Sequence, residues 1–222
     1  MSLRERLDRV EERIRSAADR AGRKHEDIAL IAVTKKFPAE VVREAYDLGL
    51  RIFGENYVQE FEGKHPALAD LAGTEFHLIG HLQSNKARPA ADLFQVIQTV
   101  DSEKLAGRLD GMSKPLEVMI EVKLSEEASK FGTPPEQLPK VIEAIRACQN
   151  LKLTGLMTMP PWSDDPEVTR PYFRRLAGLA RQHGIEKLSM GMSHDFEAAI
   201  EEGATHIRVG TALFGPRPKP LP

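Results

Sequence analysis

The chain predicts a closed (β/α)8 barrel, a TIM barrel, with one extra helix in front of it. Two observations carry the expectation. Short apolar blocks that read as strands begin near residues 28, 50, 76, 94, 116, 151, 187 and 206, eight in all, with helical segments between them. A barrel of this kind uses roughly 200 to 250 residues, and the chain has 222. An open, doubly wound sheet is the architectural alternative. Residues 1–222 are therefore expected to form one barrel domain, with 216–222 as a carboxyl-terminal tail.

The opening helix is expected over Leu3–Ala21, where Leu3, Leu7, Val10, Ile14 and Ala18 make an apolar stripe at spacings of three and four. Strand one is Ile28 to Val33, an unbroken apolar block of the sort covered on both faces in parallel sheets. It stops abruptly at Thr34, Lys35 and Lys36. Ala39–Leu48 reads as a helix closed by Gly49, and Leu50–Phe53 as strand two closed by Gly54. The alternation continues with strands Phe76–Gly80, Phe94–Thr99, Leu116–Val122, Leu151–Met157, Lys187–Met190 and His206–Val209. Helices are expected over Ser84–Asp92, Ser102–Met112, Pro135–Cys148, Pro166–His183 and His194–Glu202, and the end, GPRPKPLP, reads as an extended tail.

With 31 basic against 33 acidic side chains, there is no electrostatic reason to expect nucleic acid or an anionic membrane as partner. Cys148 is the one cysteine, so an intramolecular disulfide is excluded. The charged amino terminus has no apolar signal core, and no segment offers about eighteen consecutive apolar residues. A cytoplasmic location is expected.

Chemistry is expected at the carboxyl ends of the strands, where ligands bind in α/β folds. Lys35 and Lys36 end strand one there, and if the strand alternates one of them points into the barrel mouth. Taken alone, both also read as solvated strand-end lysines. Gly191 ends strand seven and Ser193 is suited to cap the next helix, which would turn backbone N–H groups and a hydroxyl toward the mouth. Gly210 and Thr211 repeat the device after strand eight, and barrels commonly bind phosphate with the loops after strands seven and eight. Arg208 lies inside strand eight, where a guanidinium demands a partner. An amine, an anion cradle and an arginine between them together describe a pyridoxal 5′-phosphate site. The amine forms the Schiff base, the cradle takes the phosphate and the arginine meets the pyridine nitrogen.

Plainer readings stand beside these. A glycine and a serine at a strand-to-helix turn are also what an ordinary loop needs. His77 reads as a hydrogen-bonded strand histidine, since no second ligand stands at a metal-binding spacing, and no metal is expected. Met157 and Met159 serve either as cavity lining or as gap-filling core. Asp195 would repel a phosphate and is expected to point outward.

The stretches AVTKKFP, FGENYVQE, FHLIGHLQSNK, SKFG, GLMTMPP, LSMGMSHDFEAAI and IRVGTALFGPR run nearly end to end. In kind and order they resemble the pyridoxal phosphate homeostasis protein family, single-domain proteins similar to the barrel domain of alanine racemase. The resemblance implies that Lys35 is the cofactor lysine and Lys36 its neighbour. It also implies that Ser193, Gly210 and Thr211 bind the phosphate, that Arg208 faces the pyridine nitrogen, and that Asn56 and His81 are polar residues of the same mouth. The function it implies is to hold pyridoxal 5′-phosphate and to buffer or deliver it without turnover. The expected recipients are apoenzymes that use the cofactor, and the expected state is a monomer or weak dimer.

Two other functions share these residues. An amino-acid racemase would use Lys35 as one base, but it needs a second base, which in the similar racemases comes from an additional carboxyl-terminal domain. Here the barrel is expected to be the whole, and of Tyr46, Tyr57 and Tyr172 only Tyr57 lies in a loop that could substitute. A phosphosugar-processing barrel would instead use Lys35 against an aldehyde substrate.

Overall fold

Eight parallel strands follow one another around a closed barrel in chain order in the computed structural model, which describes residues 1–125 and 131–216. They are β1 Ala29–Val33, β2 Ile52–Glu55, β3 Glu75–Leu78, β4 Val96–Val100, β5 Leu116–Glu121, β6 Leu151–Met157, β7 Lys187–Met192 and β8 His206–Val209. The wall closes where β1 pairs with β8, with Ala29 beside His206 and Ile31 beside Arg208. The helices are α1 Leu3–Arg20, α2 Ala39–Asp47, α3 Val58–Lys64, α4 Ala87–Leu93, α5 Glu103–Asp110, α6 Leu138–Arg146, α7 Arg170–His183, α8 Phe196–Glu201 and α9 Thr211–Phe214. None among the described residues is long and apolar enough to cross a membrane.

The barrel is the expected one, and the departures have local causes. Helix α3 lies in a stretch read as connection; its Phe61 is fully buried against Phe76 and Phe94, at ring distances of 4.6 and 4.9 Å. Strand β2 begins two residues later than expected and runs on through Glu55, whose burial is tolerated because Lys64 pairs with it. Strand β7 continues through Gly191 to Met192. Gly191 has φ +89°, and a Cβ there would sit 2.6 Å from that of Ala199, so only glycine lets α8 close down on the strand end. The segments after Pro135 and Pro166 open as 3₁₀ turns, Pro135–Gln137 and Pro166–Val168, before α6 and α7. The tail expected from residue 216 lies, beyond Pro216, outside the described residues, as does the Ser129–Lys130 half of SKFG.

Helix α1 is amphipathic as expected, with Leu3, Leu7, Val10, Ile14 and Ala18 all buried. Ser2 and Glu5 form a reciprocal cap at its start. The helix lies along the β7–β8 side of the barrel: Arg13 Nε donates to Glu197 at 2.6 Å, and Arg23 Nη1 donates to the carbonyls of Ile200 and Ala204 at 2.9 and 2.7 Å. Arg13 Nη2 also donates to the Ser193 carbonyl at 3.3 Å and Arg6 Nε to the Leu213 carbonyl, so the helix braces the segments that follow β7 and β8, where an anion is expected.

The amino-terminal end of the barrel is charged. Lys152 and Lys187 reach Glu117 at 2.8 and 3.4 Å, and Glu75 accepts from His77 at 2.9 Å. His206 lies among these groups; burial first, then the charges of His77 and Lys187, push its imidazole down to about 4. Since its ordinary value is 6.5, the unfolded chain binds the extra proton first as pH falls, and stability declines from pH 6.5 toward pH 4. His206→Gln is expected to flatten that part of the stability profile, measured by urea unfolding at a series of pH values; an unchanged slope would show that His206 is not the responsible group.

Candidate functional site

At the carboxyl ends of the strands the barrel opens into a cavity of about 590 Å³. Strand alternation decides who lines it. Ile31 faces inward, against the position where a Cβ of Gly54 would be, and Val33 and Lys35 continue that inner row into the cavity. Thr34 and Lys36 belong to the outer row. Thr34 Oγ1 donates to Glu55 Oε1 at 2.8 Å; Lys36 is exposed, with φ +64° and its backbone N–H on Glu60 Oε1 at 2.6 Å. The turn that carries Lys35 is thus held from behind. Lys64 Nζ lies within 2.7 Å of Glu55 Oε1, 2.9 Å of Glu60 Oε1 and 3.1 Å of the carbonyls of both Thr34 and Phe37.

Across the opening, Ser193 Oγ accepts from the backbone N–H groups of Gly210 and Ala212, at 3.2 Å each. This bond ties the turn after β7 to the turn after β8. Ser193 was expected to cap the following helix, and it does not: α8 starts only at Phe196. The turn is made instead by Asp195, whose Oδ1 accepts from Met192 N–H at 2.6 Å. Asp195 was also expected to point outward, whereas it is buried. The bond to Met192 draws the carboxylate inward and leaves Ser193 to reach β8.

Arg208 projects from β8 into the cavity floor. It is buried, with Nη1 donating to Ser189 Oγ at 2.7 Å and Nη2 to the Thr158 carbonyl at 2.9 Å. Burial pushes its guanidinium down to about 10, against the pull of Asp195 and Glu121, so it remains charged at neutral pH. Asn56 completes the β2 side of the rim; a Cβ on Gly80 would lie 2.2 Å from the Asn56 carbonyl, so a glycine is required there to seat this loop.

The cavity thus gathers Lys35, Asn56, Ser193, Arg208, Gly210 and Thr211. It does not include His81, which lines an adjoining cavity of about 520 Å³ with Tyr57 and Lys86. His81 stacks on Phe131 at 3.7 Å, and its Nδ1 is 3.6 Å from Asp101. Asn56 and Met159 border both spaces. The two methionines separate: Met157 is buried core and Met159 is lining. Trp162 and His194, which sequence reasoning passed over, also line the main cavity, with rings 3.9 Å apart. No periodicity marks a loop residue such as Trp162. His77 is the hydrogen-bonded strand histidine that was expected, held between Gln98 and Glu75.

Residues 6–218 match the family model described as alanine racemase, N-terminal domain. A relative from Pseudomonas aeruginosa, a pyridoxal phosphate homeostasis protein, is 47% identical over 97% of this chain and 96% of its own length.

The chain belongs to the pyridoxal phosphate homeostasis protein family.

Among solved structures, PipY of Synechococcus elongatus is 38% identical and covers 96% of this chain and 100% of its own, with TM-scores of 0.85 without PLP and 0.82 with PLP bound. An alanine racemase from Clostridium difficile shares the barrel at a TM-score of 0.74 and 14% identity; this chain spans 57% of it. Within the pyridoxal phosphate homeostasis protein family, then, the chain matches its relatives over nearly their full length.

The buried group behind Lys35 sets an expectation of its own. Burial outweighs Lys64 and Thr34 and pushes the Glu55 carboxyl above its ordinary value. Removing the ammonium leaves that carboxyl uncompensated. Lys64→Met is expected to cost about 3–5 kcal/mol in urea unfolding, and adding Glu55→Leu should recover most of it; a single-variant loss under about 1 kcal/mol would remove the pair from this role.

Proposed function

We propose that this protein binds pyridoxal 5′-phosphate in the mouth of its barrel and serves pyridoxal phosphate homeostasis, holding the cofactor through Lys35 and buffering or delivering it. One observation carries the reading. An amine from the end of β1, an arginine from β8 and the joined turns after β7 and β8 line a single cavity of about 590 Å³, a size suited to a small ligand. The name shared by the relatives and the PLP in the Synechococcus structure support it.

The donor set fits the group. Ser193, through its hydroxyl proton, and Thr211 would take the phosphate against the Gly210 turn, whose N–H holds Ser193 in place; Arg208 would face the ring nitrogen, and Asn56 would border the ring. His81 would act from the adjoining cavity, at the entrance. When bound, the cofactor supplies an aldehyde that condenses reversibly with a primary amine. Lys35 is the amine in the lining, and it reacts from its neutral form. Arg208 keeps its proton and only donates, so it orients a ring without protonating its nitrogen. That suits retention better than carbanion chemistry. Delivery to apoenzymes in the cytoplasm, by a monomer or weak dimer, belongs to the same proposal.

Lys35→Ala is expected to abolish the absorbance of the bound cofactor and Lys36→Ala to keep it, with borohydride reduction and peptide mass spectrometry placing the pyridoxyl group on Lys35. Labelling of Lys36 would overturn the assignment. Ser193→Ala is expected to weaken retention about tenfold in equilibrium dialysis, the scale of one hydrogen bond to a charged group, without altering the circular dichroism.

Racemisation needs a second base on the far face of the cofactor. Tyr57 lies in the adjoining cavity, away from Lys35. Among the described residues, the other titratable side chains lining the main cavity are Arg208 and His194, and His194 Nε2 is turned to Asp195 at 3.4 Å beneath the ring of Trp162. Purified protein loaded with pyridoxal phosphate is therefore expected to form no D-alanine from L-alanine; turnover above the free-cofactor background would replace the carrier reading with an enzymatic one.

A further inference from the structure

Below the mouth, Arg208 heads a chain of polar side chains in the barrel interior whose other members the binding reading does not use. Arg208 Nη1 donates to Ser189 Oγ at 2.7 Å, and Ser189 donates to Gln98 Oε1 at 2.6 Å. Gln98 Nε2 lies 2.7 Å from His77 Nδ1, and His77 Nε2 lies 2.9 Å from Glu75 Oε1. Arg208, Ser189, Gln98 and His77 are all buried. Ser189 is on β7 and Gln98 on β4, which are not neighbours in the wall, so this bond crosses the interior.

The two ends set the direction of the bonds, because an ionised Glu75 carboxylate only accepts and takes the Nε2 proton of a neutral His77. An arginine has donors and no acceptor. The Ser189 oxygen therefore accepts, and its own proton goes to the next oxygen in reach, that of Gln98. Gln98 then presents its NH₂ to His77, so His77 Nδ1 carries no proton. The ring proton sits on Nε2 and goes to Glu75, whose carboxyl this bond holds below its ordinary value. A donor at the mouth and an acceptor at the other end of the barrel together select one tautomer of His77.

We infer that Gln98 and His77 are positioning residues for Arg208, the interior strut that fixes its guanidinium before a ligand arrives. The strut anchors Nη1, and the Thr158 carbonyl anchors Nη2 from β6's end. Two fixed nitrogens define the plane of the group, and so the direction of its remaining N–H bonds. A purely packing role for Gln98 and His77 would need neither the bond directions nor any tie to Arg208. The inference rests on the reading of the mouth as a pyridoxal phosphate site and specifies how its ring end is held.

Two measurements test it. In ligand-free wild-type protein, long-range proton–nitrogen NMR of the histidine rings is expected to show His77 as the Nε2–H tautomer at neutral pH. An Nδ1–H tautomer would overturn the chain. Second, Gln98→Leu is expected to weaken pyridoxal phosphate binding about tenfold in equilibrium dialysis, equivalent to about 1.4 kcal/mol. In an Arg208→Gln background the same change should alter affinity less than about twofold, because a residue acting only through another has no effect once that other is gone. Equal losses in both backgrounds would reduce Gln98 to packing and overturn the inference. Wild-type protein that binds no pyridoxal phosphate at all would instead overturn the reading of the mouth, and the His77 tautomer would still decide for or against the chain.

Discussion

A guanidinium taken out of water must be given acceptors, and much of this barrel's interior is arranged around that requirement. Arg208 is buried in the floor of the mouth and charged, which would be severely destabilising without partners. Ser189 and the Thr158 carbonyl supply them. Ser189 in turn needs an acceptor, which draws Gln98 inward; Gln98 needs one, which draws in His77. The usual barrel interior of stacked branched aliphatic side chains is here interrupted by a polar line ending on Glu75. That line fixes the guanidinium in the floor of the cavity from below.

The walls of the mouth are held by a second device on the other side of the sheet. Along β1 and beyond, inner and outer rows separate function from support. Lys35 enters the cavity, while Thr34 and Lys36 face the Glu55, Glu60 and Lys64 cluster packed behind the turn. Across the opening, Ser193 binds the β8 turn directly, and α1 braces both turns from outside through Arg13, on the Ser193 carbonyl, and Arg6, on the Leu213 carbonyl. The Lys35 turn, the joined turns after β7 and β8 and the Arg208 guanidinium are thus each supported from behind.

The barrel and most of its site were legible in the chain because their signals are local. Apolar blocks such as Ile28–Val33 and the stripe of α1 announce themselves through periodicity, and an arginine inside strand eight or lysines ending strand one stand out against their neighbours. Helix α3 escaped notice because its buried face is Val58, Phe61 and Lys64, two apolar residues and a lysine over two turns, a pattern too sparse to read as a stripe. Asp195 and Ser193 exchanged roles because both can close a turn, and only the nearness of Gly210 and Ala212 assigns Ser193 across the opening.

By itself the amino-acid sequence determined the strand count, the strand–helix alternation, the opening helix and which residue types meet at the carboxyl-terminal end, since each depends on spacing along one segment, whereas closure over an open sheet rests on the pairing of β1 with β8. Tertiary structure alone decided that His81 lines a separate space, that Glu55 and Lys64 share a buried contact, and that Gln98 reaches Ser189 across the barrel. These are contacts between residues far apart in the chain. Their partners become neighbours only when the wall closes, and no pattern within a single strand or helix specifies them in advance.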